Sequence, residues 1–168
     1  AALSAGKHVA CEKPLAGTLK EARQMKNAAA RSRRSKTFVW FNYRRCPAVA
    51  LAERLIAEGR LGKLYHVRAA YFQSTATPDR PHGWRFQKKF AGSGAHGDLN
   101  SHIVDMARFV TGQEIVEVTG AIGETFVTER VVPTPPGKPS TGARTRKTKN
   151  VAKVDVDDAV SFLARFSG

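Results

Sequence analysis

The chain has 168 residues, of which 42% are hydrophobic, and a formal net charge of +14. That size and apolar content suit one globular domain or pieces of two, and no segment is long and apolar enough to span a membrane. The two cysteines, Cys11 and Cys46, cannot make a disulfide framework. Set among apolar neighbours, they read as buried free thiols of a protein of the reducing cytoplasm.

In chain order, Ala1 to Lys7 lacks the charged start and sustained apolar core of a signal peptide. It reads as the last turn of a helix, with Gly6 as C-cap and Lys7 at the negative end, so a fragment is expected. An apolar run, His8-Val9-Ala10-Cys11, then leads as a buried strand into Glu12-Lys13-Pro14. Thr18-Leu19-Lys20-Glu21 is a capping box, and Leu19, Ala22, Met25 and Ala29 give a helix one apolar stripe to about Ala30. Residues 37–41 read as a buried strand. Pro47 opens a second helix, with Val49, Leu51, Ala52, Leu55 and Ile56 inside and Gly59 as its stop. Residues 64–74 form the clearest strand pattern. Residues 92–97, Gly-Ser-Gly-Ala-His-Gly, make a turn, and 98–110 a third helix ending at Gly112. Residues 114–126 read as a strand broken near Gly120 and Gly123, 133–150 as loop, and 155–166 as strand again. The order predicts the end of a doubly wound sheet followed by an α+β layer of helices on a mainly antiparallel sheet.

The positive charge gathers in two places, Arg31 to Lys36 and Lys138 to Lys149. Neither cluster is interleaved with aromatics as a base-stacking platform would be, so solvated surface is the better reading and nucleic-acid binding rests on charge alone. The second cluster lies in 133–150, which holds four prolines and no large apolar residue, and a mobile excursion between two strands is expected there.

The chemistry concentrates on Lys13 and on the helix after the glycine turn. Asp98, His102 and Asp105 are spaced i, i+4, i+7 and share one helix face. Bland alternatives stand beside the catalytic one: Asp98 as N-cap, His102 as a packed histidine, Asp105 as a surface charge. A metal is a third option, though Asp-x-x-x-His supplies only two ligands. A glycine turn that brings backbone close to something and leads straight into Asp and His suits a pocket floor. Lys13, between a buried strand and a proline, would leave the carboxyl edge of a parallel sheet, where open α/β sheets place ligands.

These segments resemble the Gfo/Idh/MocA oxidoreductases. The matching stretches are 6–16, around Glu12-Lys13-Pro14; Asn42-Tyr43-Arg44-Arg45 with Pro47-Ala48-Val49; 59–64; and 92–105, with its Asp-x-x-x-His helix. The resemblance implies an α/β plus α+β fold: the C-terminal end of a Rossmann-like parallel sheet over 1–45, then a partial α+β substrate and oligomerisation domain over 46–168. It implies NAD or NADP as cofactor, and hydride transfer from a secondary alcohol of a sugar, cyclitol or related polyol. It also implies a homo-oligomer formed through the C-terminal sheet and a cis Lys13–Pro14 bond.

By the same resemblance Lys13, His102 and Asp98 are catalytic. Lys13 would hold the developing alkoxide, His102 would be the general acid or base, and Asp98 would orient the sugar hydroxyls; which of Lys13 and His102 moves the proton stays open. Glu12, Lys13, Pro14, Tyr43 and Arg44 would border the cofactor, and Trp84 and Arg85, with Asp98 and His102, the sugar. The chain departs from the family pattern in three ways. No Gly-x-Gly-x-x-Gly follows a predicted strand, the closing strands of the second domain are not seen, and His96 stands where an apolar residue is usual. The first departure leaves NAD and NADP undistinguished and makes a catalytically inactive fragment, without dinucleotide binding, the alternative reading.

Overall fold

The computed structural model describes residues 1–133 and 150–168. A single 3-10 turn at Leu3–Ala5 ends on Gly6 at φ 70°, which only a residue without Cβ adopts freely. Strand β1 (Val9–Glu12) pairs in parallel with β2 (Thr37–Trp40), Val9 opposite Thr37 and Glu12 opposite Trp40. Helix α1 (Leu19–Arg31) makes the crossover. Its Thr18 cap accepts from Glu21 N at 3.2 Å, and the Glu21 carboxylate accepts from the Thr18 hydroxyl at 2.9 Å, not from the Thr18 amide as in a full capping box.

A turn at Asn42–Arg45 leads to helix α2 (Pro47–Ala57), which packs against helix α4 (Ser101–Thr111). A short helix, α3 (Lys88–Ala91), precedes the glycine turn. Strand β3 (Ile115–Glu124) pairs antiparallel with β6 (Ala159–Phe166). Its register slips between Thr119 and Ile122, where Gly120 has φ 58°, so the break expected near that glycine is a bulge. Strands β4 (Glu129–Val131) and β5 (Val151–Lys153) form a small antiparallel pair of their own. The parallel pair followed by antiparallel layers is the architecture expected from the sequence.

Three expectations are corrected. Residues 64–73 run without helix and pair with no described strand; β6, across a cleft from them, pairs with β3. The last strand begins at Ala159, because Asp155 and Asp157 turn their carboxylates to the backbone amides of Lys88, Gly94 and His96. Cys11 and Cys46 are free but half-buried. The excursion expected over 133–150 falls, apart from its two end residues, outside the described residues.

Among the described residues the buried apolar cluster is small: Phe86, Val154 and Val156. The chain exposes 13215 Å², against about 8,100 Å² for a compact monomer of its mass. Large apolar side chains lie exposed among the described residues, Tyr65, Phe72, Phe126 and Leu163 among them. No helix of the described residues is long and apolar enough to cross a membrane.

Candidate active site

Lys13 leaves β1 at its carboxyl edge, and the Lys13–Pro14 bond is cis. Its ammonium crosses to the glycine turn, donating to the Asp98 carbonyl at 2.6 Å and to Asp98 Oδ1 at 3.1 Å. The lysine side chain is only 14% exposed. An ammonium has three protons. Two are held by Asp98, which leaves one for a further acceptor.

The turn is tight for a stated reason. Gly92 has φ 76°, and at Gly94 an added Cβ would collide with the Asp157 carbonyl. The Asp157 carboxylate accepts from Gly94 N at 2.8 Å and from His96 N at 2.6 Å. Residues 92–97 have the glycine spacing of a phosphate loop, but they follow helix α3, not a strand, and two of their amides are already taken by a carboxylate. The chain then makes one π-helical turn, His96–Asn100, before α4. Asp98 lies inside that turn, so it is no N-cap of the helix, and its carboxylate goes to Lys13.

His102, in the first turn of α4, is boxed edge-on by three rings: Tyr43 at 4.8 Å, Tyr71 at 6.0 Å and Phe41 at 6.1 Å between centroids. Its Nδ1 is buried and has no hydrogen-bond partner among the described residues. Burial, reinforced by the nearby Lys13 charge, lowers the imidazole pKa against the opposing pull of Asp98, Asp105 and Glu12. The ring is therefore neutral at neutral pH and able to accept a proton.

Asp105 is buried, not a surface charge: it is 4% exposed and takes the Arg44 guanidinium in a fork, Nε to Oδ2 at 2.8 Å and Nη2 to Oδ1. Arg44 also lies over the Phe109 ring at 5.0 Å. Its pKa is raised chiefly by the hydrogen bond to Asp105. Arg44 so ties the turn after β2 to α4. Tyr43 shares a 2.6 Å hydroxyl–hydroxyl bond with Tyr71, which raises its pKa.

Glu12 accepts from the Lys13 amide at 3.2 Å. Trp84 and Arg85 stack on each other, guanidinium to ring at 4.4 Å, and both are exposed. Among the described residues no hydrogen bond, ion pair or ring contact joins them to Lys13, Asp98 or His102. His96 hydrogen-bonds through Nδ1 to the Asn100 amide at 3.1 Å. No three His, Cys, Asp or Glu side chains among the described residues cluster as metal ligands would. A cleft of about 620 Å³ lies between 64–73, α4 and β6 and is not lined by Lys13 or His102. Sequence reasoning passed over Tyr71 and Gln73. The signal was the alternation within 64–74, which puts positions 71 and 73 on one face.

A model of the Gfo/Idh/MocA C-terminal domain matches residues 49–168, and one of the NAD-binding Rossmann fold of the same oxidoreductase family matches 1–41. The chain belongs to the Gfo/Idh/MocA family. Levoglucosan dehydrogenase of Pseudarthrobacter phenanthrenivorans is 42% identical over 168 residues, 99% of this chain and 42% of that protein. Glucose-6-phosphate 3-dehydrogenase of Bacillus subtilis is 32% identical, over 94% of this chain and 40% of its own. An oxidoreductase domain protein of Kribbella flavida superposes with a TM-score of 0.85 at 47% identity, over 98% of this chain and 42% of that one. This member of the Gfo/Idh/MocA family thus spans about two fifths of the length of those relatives.

Proposed function

We propose that this chain forms the hydride-transfer site of an NAD(P)-dependent oxidoreductase acting on a secondary alcohol of a sugar, cyclitol or related polyol. The observation that carries this reading is the 2.6 and 3.1 Å anchoring of the Lys13 ammonium on Asp98, with one donor left, beside a neutral, half-buried His102 whose Nδ1 has no partner. An ammonium with a donor to offer, beside a neutral imidazole, fits an alcohol and the nicotinamide end of a dinucleotide. Glu12, Lys13 and Pro14, at the carboxyl edge of the parallel pair, would hold that end, with Tyr43 alongside. When bound, the dinucleotide accepts the hydride.

Lys13 binds the alcohol oxygen and stabilises the negative charge it gains. His102 takes the hydroxyl proton. Asp98 fixes the lysine and orients neighbouring hydroxyls. Arg44, engaged by Asp105, holds the helix that carries His102. In this reading 1–45 is the end of the dinucleotide-binding domain and 46–168 the substrate domain. Exposed apolar side chains on β3 and β6, Val118 and Leu163 among them, support a homo-oligomer through that sheet, and the free cysteines suit the cytoplasm.

The test is a chimera in which this chain replaces the matching 168 residues of the Pseudarthrobacter levoglucosan dehydrogenase. Absorbance at 340 nm is followed with NAD or NADP and a panel of sugars. Turnover that disappears in Lys13→Ala and His102→Ala supports the reading. A folded chimera that binds NADH yet turns over no sugar or polyol overturns it in favour of a non-catalytic protein.

A further inference from the structure

Tyr43 and Tyr71 share a hydrogen bond, and the donors and acceptors around it can be followed to an end. Thr75 Oγ1 donates to Gln73 Oε1 at 3.0 Å. That bond sets the amide, so Gln73 Nε2 faces Tyr71 and donates to its hydroxyl at 2.6 Å. Tyr71 Oη and Tyr43 Oη then meet at 2.6 Å, and either can be the donor. Two phenols carry two protons, and the bond between them uses one. If Tyr43 donates, the Tyr71 proton is left over; if Tyr71 donates, the Tyr43 proton is. Neither hydroxyl makes another hydrogen bond among the described residues. Both rings pack against His102, at 4.8 and 6.0 Å.

We propose that the Tyr43–Tyr71 pair, oriented by Gln73 and Thr75, is a substrate subsite that donates one hydrogen bond to a hydroxyl or ring oxygen of the sugar beside His102. A buried or half-buried donor without a partner is costly, so an acceptor is expected to supply one. Of the charged donors nearby, Arg44 spends two of its five N–H groups on Asp105, and Lys13 two of its three protons on Asp98. The phenol pair therefore offers a neutral donor next to the reacting carbon, suited to discriminating between sugars that carry an oxygen at that position and those that lack it. Tyr71 and Gln73 thereby become specificity determinants for the reaction assigned above, and the proposal rests on that assignment.

The experiment uses the 168-residue chain with 13C-labelled tyrosine side chains, titrated with levoglucosan and read by NMR. The expected result is a saturable shift of the Tyr43 and Tyr71 Cζ resonances. Tyr71→Phe and, separately, Tyr43→Phe should each weaken binding roughly 3–10-fold, the scale of one neutral hydrogen bond, while Tyr65→Phe leaves it unchanged. In the chimera, Tyr71→Phe should raise KM and leave the pH profile of His102 in place. No saturable shift, or equal binding by both phenylalanine variants and wild type, overturns the subsite. Binding that depends on Tyr71 in a chimera without hydride transfer would sink the catalytic reading and leave the subsite standing; an active chimera indifferent to both phenylalanines would do the reverse.

Discussion

Lys13 is already committed before any substrate arrives, with Asp98 accepting two of its three protons. In the proposed reaction the third proton would meet an alkoxide charge that exists chiefly in the transition state. Lys13→Ala in the chimera should therefore lower kcat far more than it weakens NADH binding, measured by fluorescence titration; an unchanged kcat would remove the lysine from the chemistry. His102→Ala should lower kcat by roughly 10²–10⁴-fold, the usual contribution of a positioned base. The same histidine predicts a stability effect. Its folded pKa is lowered, so the unfolded chain takes up the proton first as pH falls through the ordinary value of about 6.5. Stability is present above that value and declines below it until the folded pKa is reached. Urea titrations between pH 7 and 5 should show that decline in wild type and a flatter line in His102→Gln. The meeting of Lys13 with Asp98 beside His102 was legible, because short motifs carry all three. The Arg44–Asp105 fork was not, since its partners stand 61 residues apart and neither flanking pattern points to the other. Tyr71 and Gln73 were hidden for a different reason: an extended segment shows which residues share a face but not what they touch.

At the scale of elements, the i, i+4, i+7 spacing predicts plain α-helix. It places Asp98 and His102 near one another correctly but misses the π turn that takes Asp98 out of the cap position. Spacing alone does not reveal one extra residue in a turn, and such turns are frequent at functional sites. Deleting Leu99 should restore a regular helix and swing the residues before it by about 100° relative to His102. Far-UV circular dichroism should stay helical while the Lys13–Asp98 bridge is lost from the structure; an intact bridge in the deletion variant would show that the π turn is incidental. Gly94→Ala tests the same turn from its other side. The methyl meets the Asp157 carbonyl, so 155–158 must move and the bonds to Gly94 N and His96 N weaken. A loss of about 1–3 kcal/mol is expected in urea denaturation. The strand expected at 64–74 failed on pairing, not on pattern. Alternation specifies a side-chain rhythm, and a ladder needs a second strand to meet it.

At the scale of the molecule, the sequence indicated the two layers and their order, but not how thinly they are covered. The exposed area exceeds that of a compact chain of equal mass by thousands of Å². The isolated chain is therefore expected to bind an apolar dye such as ANS and to associate as its concentration rises. Sedimentation velocity at several concentrations checks this, and a dye-negative monomer throughout would show that these faces are covered in solution. The contact between Lys13 and Asp98 links segments 85 residues apart, one from the parallel pair and one from the helix over the antiparallel layer. Contacts of such separation form late, because other contacts must first close the intervening loop. The ammonium and the imidazole are brought together across the seam of the fold, so the site is among the last features to assemble and among the first to come apart. On heating, catalytic competence should be lost while the helices still stand, and the seam, more than the core, would set the upper limit of the temperature at which the protein works.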